Sequence, residues 1–507
     1  MTSLTMNTIT LLPLFIAVPL AAALLIALLQ RWIKHVAPVL ATVAAAFLSF
    51  ASLYMVQSVP QATVLRLSTK VLTNASIFLV GDALSGLMLV IINIIALSVT
   101  VYSWSYLKHY TDQWKYYTLL LLMAAGLNGV VVSGDIFTLY VFLEIASIAS
   151  YVLVAFGCEQ EELEASFKYL ILGTLGSTFV LLGIGMLYGL TSSLSFAAIA
   201  GTFAGHAGWL PKLIVVFFIM GFSLKAAMVP FHAWLPDAHT SAPAPISAML
   251  SGIVIKTLGI YAITRLLFHV IGFTPEVSRI LLILASLSIV AGVFLALYQW
   301  DFKRLLAYSS ISQVGYIMLG IGLGTPLGIM GGIFHLINHA VFKPLLFMNA
   351  GAVEYATGTR RLDRMGGLRK QMPVTAHTSL IASMSISGIP PFSGFWSKLI
   401  IIIACIQADK LFLAVIAAGA SIVTLAYFLK VQKYAFWGRV NKMWQHIGEV
   451  PLPMAGAMLF LSALCLASAL LMLPVFNNAF LQPVVQTLLL GLKYGRTLTD
   501  TIPYMVP

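Results

Sequence analysis

Long apolar stretches, separated by short polar ones, run through nearly the whole chain. Since a helix needs about 20 apolar residues to cross a bilayer, the pattern predicts an all-α integral membrane protein with about fourteen transmembrane helices. The predicted spans are 9–30, 36–56, 81–104, 116–133, 136–156, 166–190, 211–235, 243–268, 278–299, 305–323, 327–350, 374–407, 411–437 and 453–474. A shorter apolar piece at 479–492 lies in the interface or forms a fifteenth helix.

The composition supports this interpretation. Of 507 residues, 60% are hydrophobic and only 9% are charged, against about 25% charged residues in soluble domains. Cys158, Cys405 and Cys465 are scattered, with no C-x-x-C pair, which argues against an iron–sulfur cluster, a zinc site or a disulfide framework. The chain has no Walker A motif and no dinucleotide-binding glycine motif, so we expect no cofactor. The first apolar stretch lacks a basic leader and a cleavage site, which favours a transmembrane helix over a signal peptide.

The basic residues predict the orientation. The net charge of +12 lies in short loops between spans, which indicates membrane topology and not a nucleic-acid partner. If the first loop is cytoplasmic, the cytoplasmic basic residues are Arg31, Lys34, Lys108, Lys115, Lys303, Arg304, Arg360, Arg361, Arg364, Arg369, Lys370, Arg439 and Lys442. The opposite loops offer mainly Arg66, Lys70, Lys212, Arg279 and Lys410. The asymmetry puts the N-terminus on the outer side of a prokaryotic plasma membrane, although the cytoplasmic loop 159–164 is acidic.

Among the charged residues inside predicted spans, five are candidates for function: Glu144, Lys225, Lys256, Lys343 and Lys398. Each costs roughly 2.5–3.5 kcal/mol near the bilayer centre, so a chain that carries five of them is expected to use them. Glu144 has no basic residue one helical turn away, so its partner is expected on another helix, with Lys225 as the first choice. Snorkelling to the interface is the alternative for Lys225, but not for Lys256 in mid-span.

Lysine is a suitable residue for moving protons. A lysine removed from water loses its proton more easily than one in water, whereas arginine stays charged. His335 and His339, at a spacing of four, share a helix face with Lys343. Histidine titrates in the working range, so we predict a central relay. A structural helix face remains the alternative, and no acidic ligand accompanies the histidines to form a metal site.

Two spans are interrupted by prolines: the first contains Pro230 and Pro236, and the second contains Pro390, Pro391 and Gly394. Proline breaks a helix, and paired broken helices indicate a transport site built from inverted repeats. Near the first break, His232, Asp237 and His239 either take up protons or only anchor the loop. A weak internal similarity supports a chain made of two repeated halves, since Asp135 and Asp301 each stand at the start of a span.

Together these residues resemble the antiporter-like subunits of respiratory complex I and its relatives. The resemblance runs from about 116 to 437 and rests on 142–144, 225–239, 242–256, 335–343 and 390–398. It implies two inverted five-helix repeats, each with a broken helix. It also implies a proton channel in which Glu144 pairs with Lys225, Lys256 and the histidines connect, and Lys398 ends the path. The predicted domains are 1–110 (about three helices), 111–270 (first repeat), 271–440 (second repeat) and 441–507 (last helix and tail).

The subtype is less defined. The large antiporter-type member of complex I is disfavoured because the chain stops soon after its last spans, and the M-type member has glutamate where Lys398 stands. Lys398 is similar to the N-type member of complex I, the D-type member of Mrp sodium/proton antiporters and the corresponding part of membrane-bound hydrogenases. The 225–256 region looks most like the hydrogenase and Mrp branch.

We therefore predict a subunit that moves H⁺, with Na⁺ exchange left open, among other membrane subunits of a larger complex in the lipid bilayer. It would be a non-redox, ion-pumping part of an oxidoreductase or an antiporter. The alternatives are a standalone secondary transporter, a subunit bordering a quinone site, and a scaffold that has lost its ion path.

Overall fold

The protein is a bundle of helices. In this computed structural model the described residues are 10–33, 35–58, 65–72, 75–439, 442–495 and 504–505, so Lys34 lies outside them. Among the described residues, eleven helices are long and apolar enough to cross a membrane. The prediction of a helical membrane protein is confirmed, while the number fourteen stays a prediction.

The N-terminal half contains ten helices and a β-hairpin. The helices are α1 (Leu14–Leu29), α2 (Val36–Ser58), α3 (Ala83–Tyr106), α4 (Gln113–Val132), α5 (Ile136–Val154), α6 (Gln160–Thr191), α7 (Phe196–Phe203), α8 (Trp209–Lys225), α9 (Trp234–Ser241) and α10 (Ala244–Ile271). Helix α10 contains π-helical turns at Leu250–Val254, Lys256–Tyr261 and Leu267–Ile271.

The C-terminal half continues the bundle. Its helices are α11 (Pro275–Tyr298), α12 (Phe302–Gly322), α13 (Pro326–Thr357), α14 (Pro373–Ser387), α15 (Ser393–Gln407), α16 (Leu411–Phe436), α17 (Leu452–Met472) and α18 (Gln482–Leu489). Single helical turns lie at Leu107–His109, Leu362–Arg364, Leu368–Lys370, Lys442–Trp444, Pro474–Phe476 and Asn477–Leu481. Helices α10, α12 and α13 are the most buried spans and form the centre of the bundle.

Both predicted interruptions are present. Helix α8 ends at Lys225, the backbone of Ala227 is left-handed with φ of 55°, and α9 begins only at Trp234. Helix α14 ends before Gly388, whose φ is 77°, and α15 begins at Ser393. The bonds Val229–Pro230 and Pro390–Pro391 are cis. Two of the fourteen predicted spans are therefore pairs of shorter helical pieces.

A β-hairpin replaces the loop that the sequence predicts after the second span. Strands β1 (Leu65–Leu72) and β2 (Ala75–Gly81) pair antiparallel, and β3 (Tyr504–Met505) lies parallel beside β1. Leu65 and Leu67 alternate with polar residues in the sequence, and both are buried. This period of two is a strand signal, but it is short enough to be lost between two long apolar spans.

Helices α5 and α12 begin in the same way. The carboxylate of Asp135 accepts a hydrogen bond from the backbone N–H of Thr138 at 2.7 Å, and that of Asp301 accepts one from Arg304 at 2.9 Å. Such side chains satisfy helix N-termini. If each predicted span crosses the membrane once, the two helices run in opposite directions, as the predicted inverted repeats require. The repeats themselves, and the domain boundaries drawn from them, stay predictions.

Candidate functional site

The predicted ion pair is formed between α5 and α8. The Glu144 carboxylate lies 3.7 Å from the Lys225 ammonium, and it accepts a hydrogen bond from the Ser177 hydroxyl. Lys225 also donates to the hydroxyls of Ser147 at 2.9 Å and Tyr151 at 3.2 Å. The lysine side chain is 3% exposed and the glutamate side chain is 25% exposed. The pair therefore reaches from the interior to the surface of the chain.

The first break places Lys225 at a helix end inside the bundle. The indole N–H of Trp234 donates to the carbonyl of Leu224 at 3.0 Å, and the hydroxyl of Ser288 accepts from the backbone N–H of Val229 at 2.9 Å. Side chains thus satisfy backbone groups that a continuous helix would pair, as membrane depth demands. The break costs little hydrogen bonding and frees the end of α8 to present its lysine.

Lys256 is the first residue of the second π-helical turn of α10 and is fully buried. Its ammonium donates to the carbonyl of Ser251 at 2.5 Å, and the Ser251 hydroxyl lies 2.8 Å from that of Ser310 on α12. Further along α10, Gly259 packs directly on Ala226. A Cβ added to Gly259 would lie 2.5 Å from the Ala226 Cβ. Helix α10 therefore touches the first break immediately beside Lys225.

Helix α13 carries the predicted histidine face. The two ring nitrogens of His335 lie 2.9 Å from the Ser397 hydroxyl and 3.0 Å from the Gln313 side-chain oxygen. Lys343 donates to the carbonyl of Leu306 at 2.7 Å and to the Ser309 hydroxyl at 2.6 Å. The lysine thus has neutral acceptors and no carboxylate in these hydrogen bonds.

His339 and His239 differ from His335. Both rings are fully buried, and neither nitrogen of either ring has a hydrogen-bond partner among the described residues. The His239 ring stacks on Phe347 at 4.7 Å, and the Lys343 ammonium lies 5.9 Å from the centre of the same Phe347 ring. Buried polar groups are normally paired, and exceptions are frequent at functional positions. No group of three potential metal ligands occurs in the described part of the chain.

Lys398 follows the second break and is 2% exposed. Its ammonium donates to the carbonyl of Ile386 at 2.8 Å and to the Ser421 hydroxyl at 3.2 Å, and it lies 4.9 Å from the centre of the Tyr316 ring. Because Gly394 has no Cβ, α15 can approach the backbone of Ser385 closely. The lysine therefore satisfies a backbone carbonyl in the last turn of α14.

Packing contacts link these groups through the interior. His239 and Lys343 lie against the same Phe347 ring. Lys343 donates to Ser309, and the adjacent Ser310 meets Ser251, whose carbonyl accepts from Lys256. His335 lies 2.9 Å from the hydroxyl of Ser397, the residue before Lys398. The structure thus joins most of the predicted residues into one interior row of contacts through α9, α10, α12, α13 and α15. The Glu144–Lys225 pair adjoins this row through the contact of Gly259 with Ala226.

A polar cavity that the sequence did not predict opens beside the end of α9. Its volume is about 820 Å³, and it is lined by residues that include Ser241, Ala242, Lys303 and Glu354. Lys303 is only 1% exposed, donates to the carbonyl of Ala242 at 2.5 Å and lies 3.9 Å from Glu354. In the sequence, Lys303 is one of the predicted cytoplasmic loop cations. Its spacing from Leu306 and Ser310 along one helix face could have indicated an interior position.

Arg360 is the centre of the charges around this cavity. Its guanidinium lies 3.3 Å from Asp301, 3.7 Å from Glu354 and 3.7 Å from Glu161, and it donates to the carbonyl of Thr240 at 2.6 Å. Arg360 therefore joins the ends of α6, α9, α12 and α13 at the mouth of the cavity.

The three predicted uptake residues occupy different positions. Asp237 pairs with Arg304 at 3.0 Å and with Lys168 at 3.1 Å at the rim of the bundle. His232 is half-buried in the break, and His239 belongs to the interior row. The structure therefore separates Asp237, which is ion-paired at the rim, from His239, which lies in the interior.

Comparison with known proteins agrees with this architecture. Residues 133–424 match the family described as "NADH:quinone oxidoreductase/Mrp antiporter, TM", and residues 72–117 match "NADH-Ubiquinone oxidoreductase (complex I), chain 5 N-terminus". The N-type subunit of NADH-quinone oxidoreductase from Desulforudis audaxviator is 36% identical over 429 residues, which cover 80% of this chain and 84% of that protein. The D-type subunit of the Na⁺/H⁺ antiporter from Alkalihalophilus pseudofirmus is 35% identical over 71% of this chain and 74% of that protein.

Solved structures show the same fold. A chain of the Mrp complex from Dietzia superposes with a TM-score of 0.86 at 29% identity, covering 96% of this chain and 100% of that one. A chain of the archaeal membrane-bound sulfane sulfur reductase gives a TM-score of 0.86 at 28% identity, covering 96% and 99%. With the family match over more than half of the chain, these similarities show that the chain belongs to the family of membrane subunits shared by NADH:quinone oxidoreductases and Mrp antiporters.

Proposed function

We propose that this chain is the proton-translocating, antiporter-like subunit of a multi-subunit membrane complex related to complex I. The single observation that carries the proposal is the interior row of lysines and histidines. This row starts at the polar cavity beside Lys303 and ends at Lys398, which follows the second break. The relay comprises Lys303, His239, Lys343, His339, Lys256, His335 and Lys398, and Lys225, whose protonation depends on its pairing with Glu144, exchanges protons with it. Lys303 is an addition to the relay that the sequence predicts.

A proton enters from the cavity at Lys303 and passes inward through His239. An ammonium has no lone pair, so each lysine accepts a proton only as the neutral amine and returns to that form when it donates. Polar neighbours such as Ser309 beside Lys343 and Ser421 beside Lys398 stabilise the charged form for part of the cycle. The proton leaves on the side of Lys398.

The coupling is electrostatic. A redox reaction or an ion gradient elsewhere in the complex changes the Glu144–Lys225 pairing, and each shift of one pKa unit corresponds to about 1.4 kcal/mol. Glu144 is 25% exposed on a helix that spans the membrane, and a carboxylate at that depth requires protein or water around it. This exposure supports a neighbouring membrane subunit packed against α5.

The parent complex is proposed to be an Mrp-type antiporter or a membrane-bound hydrogenase, with the N- or M-type position in an NADH-quinone oxidoreductase as the alternative. The relative from a Na⁺/H⁺ antiporter supports the Mrp-type assignment, and the relative from an NADH-quinone oxidoreductase supports the alternative. The chain is placed in a prokaryotic plasma membrane, with its N-terminus outside and its relay halves at 111–270 and 271–440.

Proton pumping by the parent complex in liposomes tests the proposal. We expect Lys225→Ala to lower pumping by roughly 10²-fold with the complex intact, since this is the contribution typical of one proton-transfer group. The matched control is Lys115→Ala, because Lys115 is an exposed lysine that pairs with Asp112 at the surface. Normal pumping by assembled Lys225→Ala would overturn the relay and leave a structural role.

A further inference from the structure

A second buried ion pair closes the outer end of α10, away from the relay. The guanidinium of Arg265 donates to both carboxylate oxygens of Asp82 at 2.6 and 2.9 Å, and the side chains are 3% and 1% exposed. The Tyr494 hydroxyl also bonds to the Asp82 carboxylate, and the rings of Tyr494 and Tyr261 each lie 5.3 Å from the guanidinium carbon. We call these four residues the outer cluster.

The outer cluster joins three separate parts of the chain. Asp82 caps α3, Arg265 lies on α10, and Tyr494 follows α18. His269 lies 3.0 Å from Arg265 and 2.8 Å from the carbonyl of Thr487 on α18, and its ring stacks on Tyr494 at 4.1 Å. The segment 482–495 is thus held across the outer end of the helix that carries Lys256.

A line of polar residues leads along α10 from Lys256 to this point. Thr257, Tyr261, Arg265 and His269 follow one another at four-residue spacing, and all are buried. Residues four apart share a helix face, and the Thr257 hydroxyl has no hydrogen-bond partner among the described residues. This face would offer protons a second way out of the relay if water reached its outer end.

We propose that the outer cluster is a seal, in which Asp82, Arg265 and Tyr494 are positioning residues that hold the segment 482–495 over this polar face and so prevent proton leak from Lys256 to the outer side. Two features suit it to this task. The mutual pairing of its polar groups leaves little need for water, and arginine remains protonated and cannot relay a proton. The proposal rests on the proposed proton relay, because a seal matters only if Lys256 exchanges protons.

The first experiment tests whether the cluster holds the segment. In right-side-out vesicles containing the full complex, Thr487→Cys would be labelled with a membrane-impermeant maleimide. We expect slow labelling when the cluster is intact and severalfold faster labelling with Asp82→Asn/Arg265→Gln, which removes both charges together and avoids leaving one buried and unpaired. Tyr494→Phe, which removes only a hydroxyl, serves as the milder variant if the double variant does not assemble.

The second experiment measures passive proton leak into liposomes under a potassium diffusion potential, without the driving reaction. We expect the double variant to leak severalfold faster than wild type, and Lys256→Met added to it to restore a low leak. The matched control is Arg361→Gln/Asp363→Asn, an exposed ion pair. Unchanged labelling, or faster labelling with an unchanged leak, would overturn the seal. The labelling result does not depend on proton transport, so failure of the relay itself would show separately, as normal pumping by Lys225→Ala.

Discussion

The chemistry of the site depends on lysines that lack acidic partners in their hydrogen bonds. Lys256 donates to a backbone carbonyl, and Lys343 and Lys398 each donate to a carbonyl and a serine. An ammonium without a nearby carboxylate is costly at membrane depth. Such amines are suited to hold a proton for part of a cycle. Lys225 differs, because its carboxylate partner Glu144 stabilises the protonated amine. When the pair separates, the amine gives up its proton more easily.

At the same scale, Lys303→Met should slow proton uptake. Methionine fills a similar volume but cannot carry a proton from the cavity to His239. Water in the cavity supplies fewer protons at high pH. We therefore expect the variant to lose a larger fraction of wild-type pumping at about pH 8.5 than at about pH 6.5, the range in which an ordinary histidine loses its proton. Arg361→Ala, at the rim of the same cavity, is the control. An equal loss at both pH values would contradict a role in uptake.

Charges that interrupt apolar spans are evident from the sequence, whereas functional charges at span ends are not. Glu144, Lys256 and Lys343 stand out because apolar residues surround them on both sides. Lys303 and Asp82 lie where a span meets a loop, and at that position a charge is ordinary. Only the packing of distant segments, such as Ala242 on Lys303 or Tyr494 on Asp82, shows that these two are buried.

At the level of elements, α10 is fitted tightly between the first break and α13. An added Cβ at Gly259 would lie 2.5 Å from the Cβ of Ala226, and one at Gly252 would lie 2.5 Å from a ring carbon of Pro344. Helix α10 thus touches the neighbour of Lys225 on one side and the neighbour of Lys343 on the other. Lys256 begins one of the π-helical turns of α10 and follows another by two residues, and such turns are frequent at functional sites.

This packing predicts that Gly259→Ala impairs both stability and pumping. Overpacking of a close contact costs typically about 1–3 kcal/mol, and the strain falls on Ala226, directly after Lys225. The control is Gly419→Ala on α16, where an added Cβ meets nothing within 4 Å. Thermal unfolding and pumping of the two purified complexes should separate them. If the two variants unfold and pump alike, the proposed contact between α10 and the break is not functional.

The elements were predictable to different degrees. Helix lengths follow from the thickness of a bilayer, and Pro230 and Pro390 mark both breaks, so α8, α9, α14 and α15 were foreseen as interrupted spans. The hairpin of β1 and β2 was not, because its period-two signal covers only a few residues. The partner of β1, at Tyr504–Met505, comes from the far end of the chain, and a contact over that distance has no local sequence signal.

At the scale of the whole molecule, the orientation can be tested with a residue that the chain already has. Cys158, between α5 and α6, is exposed, whereas Cys405 and Cys465 are buried. We expect an impermeant maleimide to label wild-type protein in inside-out vesicles and not in right-side-out ones. Lys410→Cys combined with Cys158→Ser, which places the thiol on the opposite side between α15 and α16, should show the reverse. Labelling of Cys158 from the outer side would invert the proposed topology.

The proposed function depends on lysines that exchange protons and do not act as fixed charges. Proton pumping by the reconstituted complex with Lys225→Arg separates these roles most directly, because arginine keeps the positive charge beside Glu144 but does not release its proton. A relay predicts that Lys225→Arg pumps as poorly as Lys225→Ala while the complex stays assembled. Pumping close to wild type by Lys225→Arg would show that only the charge matters, and it would contradict proton transfer through this chain at Lys225.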